Sequence, residues 1–302
     1  SSNWALTFLS PLERLQLPNL FMRNARYITQ LISIWVKFIV VRCGCLQVLN
    51  TLRVAVPVIL ATFVIAGYAK EPVATWHMIN VNRGQLQGDS NLIKIGKQNL
   101  MIDAGYYTEA RSSVLPYLEK LGITKIDHFF VSHLHKDHYE GLFALFDDNI
   151  DIDNLYLRIP PSHFSDQASL LGDLDMKSIE RLMNTVNKRD ITIHSPSTGF
   201  LLKLPNNSYI EVLHAQDAAE TQDHLAVNDL SLIMKWTIDQ TRVLFTGDLG
   251  FKVGTLLSTD RRIESEILKM PHHGGIPIPP NAFYERVDPK FVLVPSPRSV
   301  WC

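Results

Sequence analysis

The chain has 302 residues, with 29 Lys/Arg against 30 Asp/Glu, a formal net charge of −1 and 46% hydrophobic residues. That supplies apolar material for a domain with a sizeable core, and the acidic balance described below argues against a broad basic groove for duplex DNA. Three cysteines, Cys43 and Cys45 in a lone Cys-x-Cys and Cys302 at the end, make neither a disulfide framework nor a metal site.

In chain order, residues 1–53 carry six Lys/Arg against one acid, Glu13, a net of +5. Residues 54–302 then carry twenty-three basic and twenty-nine acidic side chains, a net of −6. The stretch 27–41 is apolar but broken by Gln30 and Lys37, as an interfacial helix would be. VAVPVILATFVIAGYA (54–69) is uncharged and follows Arg53. It falls short of the roughly 20 apolar residues of a spanning helix. It fits the apolar core of an export signal better, with a small-residue end at Gly67-Tyr68-Ala69. Two readings stay open: a true start near Leu49, or the tail of a membrane domain. Both place the protein at a cell envelope, membrane-associated or exported. The expected division is 1–53 as a basic, apolar N-terminal region, 54–75 as the signal-like segment and linker, and 76–302 as the catalytic domain.

Within that domain, EARSSVLPYLEKLG (109–122) has helical spacing at Val114, Leu118 and Leu121, and stops at Gly122. IDHFFVSH (126–133) reads as a buried strand and HYEGLFALFDD (138–148) as a helix. Residues 161–190 read as helical, followed by the strand 191–195, and a last strand lies in KFVLVPS (290–296). Strands alternating with helices suit a sandwich with helices on both outer faces.

The loop between strand and helix reads Ser-His-Leu-His-Lys-Asp-His (132–138). Neutral imidazoles and ionised carboxylates are the ligands a borderline divalent cation prefers. His133 and His135, two apart on an extended segment, can clasp one ion, while Asp137 and His138 face a second. Two ions roughly 3.5–4 Å apart are an arrangement for hydrolysing phosphate and acyl bonds. Downstream, TRVLFTGD (241–248) and SEILKMPHHGG (265–275) are strands that deliver Asp248 and the His272–His273 pair at their C-terminal ends. Asp248 has two oxygens free to bridge two ions. His163 and His194 read as surface or loop residues.

These motifs, with INVNRGQLQGDSNLIKIG (79–96), LMIDAG (100–105) and NDLSLIM (228–234), resemble the metallo-β-lactamase superfamily. Within it they are most similar to the hydrolase domain of ComEC-like competence proteins, which take part in bacterial DNA internalisation. The resemblance covers residues 76–296. It implies the αββα four-layer sandwich, with His133 and His135 on one ion, Asp137 and His138 on the other, and Asp248 bridging. His273 is the expected further ligand and His272 a donor to the substrate, although spacing alone does not separate the two. The turn Gly84-Gln85-Leu86-Gln87-Gly88-Asp89 is two residues longer than the family's, Glu140 stands at a family Gly and Gly275 at a family Ser. His214 and His224 are the nearby candidates for an additional ligand that many members carry.

The resemblance implies two divalent ions, zinc first and manganese second, and a metal-bridged hydroxide attacking a phosphodiester, single-stranded DNA included. Asp137 would orient the nucleophile and His272 offset the developing charge. Two alternatives share the ligands: a hydrolase of β-lactams, thioesters or choline phosphoesters, and a metal-binding module without turnover.

Overall fold

The computed structural model describes residues 4–8, 73–83, 86–160, 174–216, 226–276, 278–297 and 300. The segments 27–41 and 54–69, Cys43, Cys45, Cys302, His163, His224 and the start of the expected 161–190 helix lie outside the described residues. Among the described residues, no helix is long and apolar enough to cross a membrane.

Among the described residues, two sheets carry the domain. The first has seven strands in chain order, β1 (Trp4–Phe8), β2 (Ala74–Met78), β3 (Ser90–Ile95), β4 (Gln98–Ala104), β5 (Lys125–Phe130), β6 (Asp151–Tyr156) and β7 (Thr192–His194). Strands β2 to β4 pair antiparallel, and β4 to β7 pair parallel. The second sheet runs β13-β12-β11-β10-β9-β8. Its members are β8 (Leu201–Leu204), β9 (Ser208–His214), β10 (Ile233–Ile238), β11 (Thr241–Phe245), β12 (Ile267–Lys269) and β13 (Phe291–Leu293). Here β8 to β11 are antiparallel and β11 to β13 parallel. Strand β1 lies in the first sheet beside β2. Its Ala5 and Thr7 are exposed while Leu6 is half-buried, the two-residue alternation of a strand with one face covered.

The expected 109–122 helix starts two residues early. It comprises α1 (Tyr107–Glu109), a π turn at Ala110–Val114 and α2 (Leu115–Lys120). The early start follows from Glu140, whose Oε2 accepts the Tyr107 amide at 3.2 Å. The expected 138–148 helix is two pieces, α3 (Lys136–Tyr139) and α4 (Gly141–Asp147). Then come α5 (Met176–Val186), whose Asp175 cap accepts from the Ser178 amide, α6 (Phe251–Leu257) and α7 (Asn281–Val287).

Strand alternation sorts the side chains into layers. Phe129 and Leu155 of the first sheet, with Val131 just past β5, pack on Val114, Leu118, Leu142, Phe146, Ile179 and Leu182 of its helices. Leu244 and Leu268 of the second sheet pack on Val253, Leu257, Phe283 and Val287 of α6 and α7. The opposite faces meet between the sheets, where the rings of Trp76 and Phe245 contact edge-on at 5.0 Å. The result is a mixed α/β sandwich of two sheets with helices on the outer face of each. The parallel strands β4, β5, β11 and β12 run out at Ala104, Phe130, Phe245 and Lys269, immediately before or within the motifs singled out above.

Two consequences are testable. A Cβ on Gly141 would lie 2.3 Å from the Ala104 carbonyl oxygen and 2.7 Å from its Cβ. Gly141→Ala must therefore push α4 off β4, and overpacking of this kind costs about 1–3 kcal/mol; urea denaturation should show that loss. Separately, Arg242 donates to Glu266 through its amide (2.9 Å), Nε (3.1 Å) and Nη2 (2.7 Å). These bonds hold the Glu266 carboxyl down at about 2. The unfolded chain protonates this glutamate first, so the pair's contribution is present above about pH 4.5 and lost as pH falls toward 2. Both side chains are partly exposed, which makes that contribution small. Glu266→Gln should flatten the acid limb of the urea midpoint against pH and leave its shape near neutrality unchanged.

Candidate metal centre

After β5 the chain bends at His133 and Leu134 and returns to an extended conformation at His135, whose φ/ψ of −86°/148° caps α3. The His135 carbonyl accepts the His138 amide at 3.0 Å, and this first turn brings Asp137 and His138 round beside His133. The loop is pinned to both sheets. The Val131 amide donates to Tyr156 O at 2.8 Å, and the Leu232 amide donates to Ser132 O at 2.8 Å. From the second sheet, Gly247 turns with φ +50°, where an added Cβ would meet Ser231 Oγ at 2.7 Å. Ser231 Oγ in turn accepts the Asp248 amide at 3.0 Å. After Pro271, His272 and His273 both sit in the left-handed region (φ 48° and 53°), a strained pair that reverses the chain within two residues.

The side chains meet in two groups that share Asp248. His133 Nε2 lies 3.0 Å from His135 Nδ1 and 3.9 Å from Asp248 Oδ2. The second group is Asp137, His138, Asp248 and His273. His138 Nε2 is 3.2 Å from Asp248 Oδ2 and 3.6 Å from Asp137 Oδ2, and His273 Nε2 is 3.4 Å and 3.3 Å from the same two oxygens. Within each group the candidate ligand atoms lie within 4.8 Å of one another. His272 places Nε2 3.8 Å from Asp248 Oδ2, with its side chain 23% exposed against 3% for His273. The six expected ligands are thus brought together, with His273 inside the cluster and His272 at its mouth. His214, at the end of β9, belongs to neither group.

Electrostatics fits a cation. Burial drives the His133 imidazole well below its ordinary value, with the charge on His138 adding to the effect. Burial acts the same way on His138 and His273, but Asp248, aided by Asp137 and Asp103 at His138 and by Asp89 at His273, lifts both well above it. Asp248 is held well below the carboxylate range by these imidazoles in spite of its burial. Among the described residues, buried His138 Nε2, both ring nitrogens of His273 and Asp248 Oδ1 have no hydrogen-bond partner, and convergent ligand atoms of this kind suit divalent ions that displace protons on binding.

Four functional side chains went unread in the sequence: Asp89, Asp103, Ser132 and Lys269. Asp103, at φ 60°, accepts the Ser132 amide (2.8 Å) and hydroxyl (2.7 Å) and faces His138 Nδ1 at 2.9 Å. That contact turns His138 Nε2 toward Asp248. Asp89 pairs with Lys269 and lies 3.5 Å from His273 Nδ1. The available signal was a charge at the end of an otherwise apolar strand, in Leu-Met-Ile-Asp and Ile-Leu-Lys, since such residues are buried only when paired.

No curated protein matches this chain. Among solved structures it is similar to the metallo-β-lactamase fold protein YhfI of Bacillus subtilis, at 13% identity and TM-score 0.41, covering 65% of this chain and 70% of that one. It is also similar to the metallo-β-lactamase SMB-1 bound to 2-mercaptoethanesulfonate, at 16% identity and TM-score 0.42, covering 65% and 76%. A third is the CmlA β-hydroxylase, at 12% identity and TM-score 0.39, covering 64% of this chain and 34% of that protein. The family model described as Anti-Pycsar protein Apyc1 matches residues 87–269.

Asp103→Asn keeps the shape and weakens the hold on His138. Loss of such a partner behind a ligand typically costs 10–100-fold in metal affinity, and a competition titration with a chromogenic chelator should record a drop of that order.

Proposed function

Since this chain belongs to the family of the anti-Pycsar protein Apyc1, we propose that it is a metal-dependent hydrolase of the metallo-β-lactamase kind, with a dinuclear centre and a phosphodiester substrate. The observation that carries the reading is Asp248 Oδ2, which faces both a His–His group and an Asp–His–His group. His133, His135 and Asp248 would hold one ion, and Asp137, His138, His273 and Asp248 the other, with zinc the better match to this imidazole-rich set and manganese the second. Bound there, two divalent ions would lower the pKa of a water toward ~7 and offset negative charge on the substrate.

The protein's own residues divide into an inner wall and a mouth. His133, His138, Asp248 and His273 are buried, so the inner side excludes water. Asp137 is the more open carboxylate, with 18% of its side chain exposed, and its Oδ2 can accept a proton from the attacking water and orient it. His272, also at the mouth, can donate from its imidazole to a phosphoryl oxygen in the transition state. The net charge of −6 over residues 54–302 supports a substrate gripped at the centre rather than along a groove. An anti-Pycsar role, as the family's name has it, forms part of this proposal. So does the competence-type alternative, DNA internalisation at a bacterial envelope, which the charged and apolar pattern of residues 1–75 supports.

The test uses the full chain, stripped and reloaded with zinc or manganese, on bis(p-nitrophenyl) phosphate, single-stranded DNA and a chromogenic β-lactam. Metal-dependent release of nitrophenol, lost at least a thousandfold in Asp248→Ala, is the expected result. Turnover of the β-lactam alone would replace the phosphodiester assignment, and two bound ions with no turnover would leave a binding module. Cleavage of DNA would favour the internalisation role.

A further inference from the structure

We propose that Lys269 and Asp89 form a buried positioning pair that fixes the imidazole of His273 for the ion site it shares with Asp137, His138 and Asp248. This inference deepens the dinuclear reading above and rests on it.

Lys269 ends β12 and is 1% exposed, an unusual place for a long cationic side chain. Its ammonium pairs with the carboxylate of Asp89, itself 1% exposed, and donates to the Gly247 carbonyl at 3.0 Å. Asp89 Oδ1 lies 3.5 Å from His273 Nδ1. Each contact reaches a different ligand-bearing segment. The Asp89 amide donates to Asp137 O at 3.2 Å, so the carboxylate is anchored to the loop of the first sheet's ligands. The Gly247 carbonyl adjoins Asp248 and also accepts the His272 amide at 3.2 Å. One ammonium thus joins the segments of Asp137, Asp248 and His273.

The two imidazoles of this ion site are handled differently. His138 is backed by Asp103, whose other partner is the neutral Ser132. His273 is backed by Asp89, whose other partner is a cation. Across 3.5 Å the Asp89 carboxylate acts on Nδ1 through its charge, neither atom having a hydrogen-bond partner among the described residues; a negative charge on that side favours the proton at Nδ1 and leaves the Nε2 lone pair for a metal. Lys269 holds that carboxylate in place, because a buried charge must stay paired. His273 sits on a left-handed turn whose backbone alone does not choose between the two ring orientations, and the pair supplies that choice.

The experiment counts ions. Cobalt(II) is titrated into the metal-free full chain, into Asp89→Asn, and into the double variant Asp89→Asn/Lys269→Met, which removes both charges and leaves neither buried alone. Circular dichroism checks each fold. The unaltered chain should bind two equivalents. The folded variants should bind the first equivalent with native affinity and the second 10–100-fold more weakly, with the cobalt absorption of one site lost. Lys269→Arg should recover part of the second site. Two equivalents at native affinity in folded Asp89→Asn or in the folded double variant overturn the proposal and reduce the pair to an anchor of the fold. As a readout free of mutation, the 15N shifts of His273 in the zinc-loaded native chain should show Nδ1 protonated; the opposite tautomer also overturns it. An unaltered chain binding fewer than two ions would instead sink the dinuclear reading itself.

Discussion

Four carboxylates gather at the centre, Asp89, Asp103 and Asp248 buried beside strand ends and Asp137 partly open in the first turn of α3, and the rest of the centre follows from the need to keep them there. Burial alone would protonate them, and at Asp103 it does push the carboxyl upward. At the other three, His138, His273 and Lys269 supply enough positive potential to hold the carboxyl down against burial. The histidines are therefore both the counter-charges of the metal-free fold and the ligands of the proposed holoprotein. Replacing two imidazolium protons by divalent ions changes the charge carriers and leaves the electrostatic pattern standing.

This pattern explains how the sequence could be read in some places and not in others. The SHLHKDH cluster is contiguous, so its chemistry was visible without any knowledge of the fold. Asp248 and the His272–His273 pair could be placed because each follows an apolar strand that the composition already marks. The helix after residue 106 was misplaced by two residues, since its start depends on Glu140, a residue more than thirty positions away. Asp89, Asp103 and Lys269 carry no spacing signature. Their role comes from pairing between residues far apart in sequence, Asp89 with Lys269 across the two sheets and Asp103 with His138 beside the first, which only the tertiary structure brings about.

The choice between the two histidines shows the same division of information. Residues 272 and 273 are adjacent and chemically identical, and nothing local ranks them. The left-handed turn settles their placement by sending one ring inward, to lie between Asp89 and Asp248, and leaving the other at the rim. Likewise, the Asp89 amide is tied to the Asp137 carbonyl at 3.2 Å, and its carboxylate lies 3.5 Å from His273 Nδ1.

The centre belongs to neither sheet. His133, His135, Asp137 and His138 leave the first, and Asp248 and His273 leave the second, so every distance between the two sets is inherited from how the sheets lie against each other. Trp76 is part of that contact, through its edge-on packing on Phe245 and its Nε1 bond to Asn91 Oδ1 at 3.1 Å. Geometry at such centres must hold to about 0.5 Å. The tolerance of this centre to mutation is consequently set well outside it: a smaller residue between the sheets can spare every candidate ligand and still pull the cluster apart, by letting its two halves settle out of step.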